Sequence, residues 1–153
     1  MEPSGFFRCD DSLWPFVMVR MRGLPTSEEY ARYLESLTHY LHRPECQLIL
    51  VDMLQVRLTT TEPLHRQAEW SARHEALLRE RSLGIGFVMD ACFMRLGLSV
   101  SFYLHPPVAP YLVAPHLGVA LEWGVQRLEA AGLFTCAARV RERHGLSTER
   151  RAG

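Results

Sequence analysis

Two aspartates occupy positions where a pair of carboxylates could do chemistry. Asp52 lies near the end of the apolar run QLILVDM (residues 47–53), and Asp90 ends the run SLGIGFVMD (residues 82–90). Both runs have the composition of strands buried on both faces of an α/β sheet. Ligands of such sheets bind beyond the carboxyl ends of the strands, so Asp52 and Asp90 are a candidate site. The alternative is that each carboxylate only accepts backbone hydrogen bonds from the following loop.

Other patterns of catalytic or metal-binding residues are absent from the sequence. His39 and His42 have no glutamate at the spacing of a zinc motif, and His65 and His74 are nine residues apart, on opposite sides of a predicted helix. The glycines of residues 84–86 fall inside a predicted strand and not at the strand-to-helix turn of a phosphate loop. No cysteine pair has metal-ligand spacing. We therefore expect no enzymatic activity, no metal and no cofactor.

Composition limits the class of protein. The chain has 153 residues, 48% of them apolar, which is typical of one globular domain. Its 17 basic residues, all arginine, balance 17 acidic ones, so no net charge attracts nucleic acid or anionic lipid. No run of 18 apolar residues predicts a membrane span, and no leader pattern precedes the first strand. The four dispersed cysteines favour free thiols and a cytoplasmic location.

The hydrophobic patterning predicts the elements that position these residues. Residues 5–9 and 16–22 form an antiparallel hairpin separated by residues 10–12, and a capping box of Thr26 and Glu29 begins a helix over 27–42. Strands over 47–53, 82–90 and 110–114 alternate with helices over 62–81, 91–105 and 115–130. This order predicts an α/β domain over 5–132, with a mixed, mostly parallel sheet of four to five strands and about four helices. Residues 133–153 form a short helix and a polar tail.

The element order and one stretch, LVDMLQVRLTTT (residues 50–61), resemble the sulfate-transporter and anti-sigma-factor-antagonist (STAS) superfamily, in its divergent bacterial branch grouped with CRAL-TRIO lipid carriers. In that family a strand ends in aspartate, a valine and a further apolar residue follow, and an acidic residue with serine or threonine opens the next helix. Asp52, Val56 and Leu58 fit this spacing. The family's phosphorylatable hydroxyl falls on Thr61, although Thr60 replaces the acidic residue before it.

The two threonines therefore have two interpretations. Phosphorylation of Thr61 is what the resemblance implies, and a phosphate at a helix N-terminus meets unpaired amides and a favourable dipole. The other interpretation is that Thr60 or Thr61 only caps the helix that begins at Glu62.

The third predicted helix is apolar on nearly every side, which indicates a contact beyond ordinary core packing. Two tryptophans on neighbouring helices can add to the same surface. The candidate interface or pocket residues are Phe93, Met94, Leu98, Phe102, Tyr103, Trp70 and Trp123. The helix either packs against a second chain or walls a pocket for an apolar ligand, and the third interpretation is core packing.

The sequence therefore predicts a non-catalytic bacterial regulatory or scaffolding protein that binds another protein and forms a homodimer through the third helix. The alternative is a domain that binds lipid or another hydrophobic small molecule. A third is an enzyme that uses Asp52 and Asp90.

Overall fold

The computed structural model describes residues 5–146, which form one five-stranded sheet with helices on both faces. The elements in chain order are β1 (Phe7–Leu13), β2 (Phe16–Gly23), α1 (Ser27–Leu41), β3 (Gln47–Val56), α2 (Glu62–Arg73), α3 (Glu75–Arg81), β4 (Ser82–Val88), α4 (Cys92–Leu104), β5 (Tyr111–Ala114), α5 (Leu117–Ala130) and α6 (Phe134–Arg143). The polar tail predicted at the end of the chain lies, from residue 147 onward, outside the described residues.

The strands lie in the order β1-β2-β3-β4-β5. The β1–β2 pair is antiparallel and every other pair is parallel, because β3, β4 and β5 are each reached through a helical crossover. This confirms the predicted α/β fold with a mixed, mostly parallel sheet. The described residues contain six helices: the four predicted before residue 132, one of which divides into two, and the one predicted after it.

The core has two layers, one on each face of the sheet. In β3, Ile49 and Val51 point into the layer that α1, α2 and α4 cover, whereas Leu48 and Leu50 point into the layer that α5 and α6 cover. Alternation along a strand sends successive side chains to opposite faces. Each layer is therefore filled by every second residue of the same strands.

The first helix begins where the capping box predicts. Thr26 Oγ1 accepts a hydrogen bond from the Glu29 amide at 3.0 Å, and the Glu29 carboxylate accepts one from the Thr26 amide at 2.9 Å. The buried face of α1 then carries Tyr30 and Tyr33, and Tyr33 Oη donates to Gln67 Oε1 on α2 at 2.7 Å. This buried bond fixes the two helices together.

Three predicted boundaries are wrong. The hairpin turns at residues 14–15 instead of 10–12, because the Asp10 side chain accepts the Ser12 amide within a β-bulge and the strand continues. The strand β3 extends to Val56, since Gln55 and Val56 pair further with β2. The single helix predicted over 62–81 divides at His74, because the backbone dihedral angles of this residue are not helical. The break brings Arg81 to the end of α1, where it donates to the Leu41 and Arg43 carbonyls.

The C-terminal helix belongs to the same domain. Gly132, at φ +80°, ends α5, and α6 then packs back on the sheet. Ala137 and Val140 of α6 are buried with Leu128 of α5. The helix predicted after residue 133 is therefore part of the second core layer.

Candidate functional site on helix α4

Helix α4 presents two different apolar faces. It follows the end of β4 and stops before Pro106-Pro107, which cannot continue a helix. One face points into the first core layer and carries Met94, Leu98 and Phe102, each buried. Phe102 lies 6.0 Å from Phe87 of β4 and 5.0 Å from Tyr111 of β5, measured between ring centroids. These contacts seat the helix on the sheet and leave the other face outside.

The outer face is also apolar. Its five side chains have exposed fractions of 50% for Phe93, 63% for Leu96, 47% for Val100, 83% for Tyr103 and 59% for Leu104. Spacings of three and four residues place all five on one stripe of the helix. We call this stripe the α4 face. A contiguous apolar patch of this kind on a protein surface is typical of an interaction site.

Of the interface residues predicted on α4, some are exposed and the others are buried in the core. Phe93 and Tyr103 lie on the α4 face, but Met94, Leu98 and Phe102 are in the core and cannot contact a partner. Leu96 and Val100 belong to the surface and were missed as candidates. The signal for them was present, since residues 93, 96, 100 and 103 follow the spacing of a helix-pairing seam.

Neither tryptophan joins this surface. Trp70 is buried, and its indole Nε1 donates to Thr38 Oγ1 at 2.8 Å between α2 and α1. Trp123 is half-buried on the opposite side of the sheet, where its ring lies over Gly84 and Gly86. A β carbon on Gly84 would come within 2.7 Å of that ring. Both tryptophans are therefore packing residues.

The space beneath α4 is filled by side chains. A β carbon on Gly97 would come within 3.0 Å of Leu64 and within 2.9 Å of Thr61 Cγ2. Leu64 and Leu98 are both completely buried here. None of three prominent cavities at the surface of residues 5–146 is lined by a residue of α4. A pocket under α4 is thus not supported by the packing.

The threonines before α2 differ in role. Thr61 is the residue at the N-cap position, but its side chain makes no capping hydrogen bond, and its methyl group faces Gly97 of α4. Its carbonyl accepts the Leu64 and His65 amides. The Thr60 hydroxyl is the one that reaches an amide, that of Glu62, at 3.4 Å. Phosphorylation of Thr61 stays a prediction.

A serine and a histidine meet beside this contact. Ser101 Oγ lies 3.0 Å from His65 Nδ1 and donates to the Gly97 carbonyl at 2.9 Å. The Ser101 hydroxyl therefore has both the Gly97 carbonyl and the His65 ring within hydrogen-bond distance. Ser101 is also completely buried. The pair thus ties α2 to α4 and does not form an exposed nucleophile.

The two aspartates predicted at strand ends are not joined, and Asp52 lies within β3, which continues to Val56. Asp52 lies on β3 opposite Val88, and its carboxylate accepts the Leu54 amide at 3.0 Å, as the structural alternative predicts. It lines a groove on the α5 and α6 side of the sheet. Asp90 is exposed after β4 and lines none of the three cavities. Between residues 5 and 146, no hydrogen bond or ion pair connects either carboxylate to the other.

Two further features bear on ligands. Among residues 5–146, no three histidine, cysteine, aspartate or glutamate side chains come together in a way that could hold a metal ion. Within the same range, no helix combines the length and apolar character needed to cross a bilayer.

Comparison with known proteins identifies the fold. No family model and no curated protein matches the chain. Among solved structures it is similar to an uncharacterized protein of the DUF3478 family from Shewanella loihica PV-4, which has a SpoIIAA-like fold. The TM-score is 0.53 and the identity 13%, over 81% of this chain and 98% of that one. This similarity confirms the STAS-like fold predicted from the element order, and at this identity it shows the fold alone.

Proposed function

We propose that this chain is a non-catalytic bacterial protein-binding domain, with a regulatory or scaffolding role, that acts through the α4 face. The observation that carries the proposal is the row of five exposed apolar side chains on one helix. Exposed apolar area of this extent is unfavourable in water, and its burial against a partner returns roughly 25 cal/mol per Å² before the costs of association.

A second copy of this chain is the partner that the α4 face fits. Residues 93, 96, 100 and 103 alternate steps of three and four, which is the pattern that lets two helices pack side by side. A two-fold axis brings such a stripe against itself, so no complementary surface is needed elsewhere. The chain also has equal numbers of acidic and basic residues, and net charge therefore does not hold two copies apart.

The non-catalytic part of the proposal is supported by the positions of the chemical candidates. Ser101 is buried and donates a hydrogen bond to the Gly97 carbonyl. Asp52 lines a groove in which Asp90 takes no part, and within residues 5–146 no hydrogen bond or ion pair links the two. A cytoplasmic location is supported by the cysteines, since all four are free and two of them, Cys46 and Cys92, are exposed.

Cross-linking tests the proposed pairing. Val100 lies near the middle of the α4 face, so an antiparallel pair brings the two copies of residue 100 together. In a Cys46→Ser, Cys92→Ser background, mild oxidation of Val100→Cys is expected to give a disulfide-linked dimer. Val119→Cys is the control, because Val119 is as exposed as Val100 but lies on α5, across the sheet. Equal cross-linking of the two variants would contradict the pairing.

The second candidate function is binding of an apolar ligand such as a lipid. The same α4 face favours it, since an acyl chain is buried by the same side chains as a protein partner. Native mass spectrometry of the protein purified from cells separates the two: a mass of two chains supports the dimer, and one chain with an added small molecule supports the ligand.

A further inference from the structure

A row of arginines lies on the opposite side of the sheet from α4. Arg8 of β1 is directly opposite Arg20 of β2, and Arg20 is directly opposite Asp52 of β3. Arg22 follows two residues on, opposite Gln55. Because side chains alternate between the two faces of a sheet, these three lie on the face that α5 and α6 cover in part. All three arginines are exposed there, beyond the edge of the helical layer.

The three guanidinium groups have no carboxylate partner within residues 5–146. The ion pairs of that region join other residues, and the Asp52 carboxylate is bonded to the Leu54 amide instead. Asp10, on the same face, is held by Ser12 at 2.7 Å and by Arg143 at 3.9 Å. Like charges directly opposite each other on two strands destabilise a sheet. The Arg8–Arg20 pair therefore carries a repulsive cost that no ion pair of either arginine offsets within residues 5–146, although Asp52 lies opposite Arg20 on the next strand.

Charges of both signs border the row, since Asp10 and Asp11 line the same cavity as Arg143. Arg143 of α6 borders the same face, beside His144. Burial first, and then the positive charges of Arg20 and Arg143, hold the pKa of His144 below its usual range. The histidine ring is accordingly neutral at physiological pH and leaves the arginines as the source of positive potential.

Two cavities adjoin along the row. One, of about 260 Å³, is lined by Arg8, Arg20 and Arg22 together with Asp52 and Gln55. The other, of about 610 Å³, shares Arg8 and Arg20 and extends to α6. Small-molecule sites have volumes of about 300–1,000 Å³, a range that includes the larger cavity and begins just above the volume of the smaller one.

We propose that this groove binds a small ligand through a phosphate group, which Arg8 and Arg20 hold between them with Arg22 at the side. Planar guanidinium groups bind phosphate oxygens in bidentate pairs, and the anion removes the repulsion between the two opposed arginines. Asp52 and Gln55 then face the rest of the ligand. The carboxylate of Asp52 repels a second negative charge and accepts hydrogen bonds from hydroxyl groups, so the site suits a phosphate ester that carries hydroxyls.

Titration by nuclear magnetic resonance or calorimetry tests the groove, with inorganic phosphate and glycerol 3-phosphate as probes. We expect Arg20→Gln to weaken binding of either probe by about tenfold or more, since one charged hydrogen-bonding partner is lost. Arg32→Gln, which removes the same charge from the exposed side of α1, is the control and is expected to change affinity little. Asp52→Asn is expected to tighten binding of inorganic phosphate because it removes a repulsive charge.

The outcomes are distinct. Tighter binding of glycerol 3-phosphate than of phosphate identifies an ester as the ligand, and equal binding identifies free phosphate. The urea midpoint of the ligand-free Arg20→Gln variant is expected to equal or exceed that of the wild type, which shows that lost affinity is not lost folding. Absence of binding at millimolar phosphate, or equal losses in Arg20→Gln and Arg32→Gln, would overturn the proposal. None of these results depends on the α4 face.

Discussion

Thr61 and Gly97 hold α2 and α4 in close contact: the threonine methyl group fills the space where a side chain at position 97 would lie. A β carbon there would come within 2.9 Å of Thr61 Cγ2. The glycine is therefore required by packing, although a glycine within a helix costs about 1 kcal/mol relative to alanine. The same contact fixes how α4 is rotated, and so which of its apolar residues point outward.

The first prediction concerns this contact. Overpacking lowers stability by about 1–3 kcal/mol. The better helix propensity of alanine offsets about 1 kcal/mol of that loss. We expect Gly97→Ala to lower the free energy of unfolding by about 1 kcal/mol in urea denaturation, and Thr61→Ser, which lacks the methyl group, to reduce that loss. Gly118→Ala on α5 is the control, because nothing lies within 4 Å of its added β carbon. A stabilised Gly97→Ala variant would show that the contact relaxes freely.

The second prediction compares the two threonines that precede helices. Thr26 makes a capping box with Glu29, whereas the Thr61 side chain makes no capping bond. Thr26→Val is expected to cost about 0.5–2 kcal/mol of stability, the usual value of a cap. Thr61→Val keeps the methyl contact with Gly97 and is expected to change stability little. If chemical denaturation shows equal losses of stability for Thr26→Val and Thr61→Val, the Thr61 hydroxyl does cap α2.

The third prediction concerns alkaline pH. Burial raises the pKa of the Cys9 thiol to about 11, from 9.0 in the unfolded chain. The unfolded chain therefore loses this proton first, and the contribution of Cys9 to stability is complete below pH 9 and is lost as the pH rises through 11. We expect Cys9→Ala to show a shallower fall in the urea midpoint over this range.

Two buried tyrosines also affect stability at alkaline pH and must be considered in that measurement. Burial also raises the pKa of Tyr30 and Tyr33, so both contribute a loss of stability at alkaline pH. Part of the rise in the pKa of Tyr33 comes from the Cys9 thiolate, so Cys9→Ala reduces that loss as well, in the same direction as its own effect. Identical slopes in the two proteins would contradict the assigned environment of Cys9.

The parts of the fold that could be predicted are those with a strong local signal. The capping box at Thr26 and the glycine at 132 mark helix ends by local chemistry, and the run from 47 to 53 is apolar enough to require a strand covered on both faces. The break at His74 has no such local signal, and the contact that accompanies it, between Arg81 and the end of α1, joins residues far apart in the sequence.

The site was harder to predict for a physical reason. A helix that is apolar all round has no polar side to show its orientation, so Met94 and Leu98 could not be separated from Leu96 and Val100 by periodicity alone. The arginine row needs the strand register as well: Arg8 and Arg20 meet only because β1 continues to the turn at residues 14–15.

The central claim, that the α4 face pairs two copies of this chain, is tested most directly by sedimentation velocity at micromolar concentration. The wild type is expected to sediment as a dimer and Val100→Glu as a folded monomer, because the new carboxylate cannot be buried without a partner. Val119→Glu, a matched change on α5, is expected to remain dimeric. A monomeric wild type, or a Val100→Glu variant that dimerises as the wild type does, would contradict the claim.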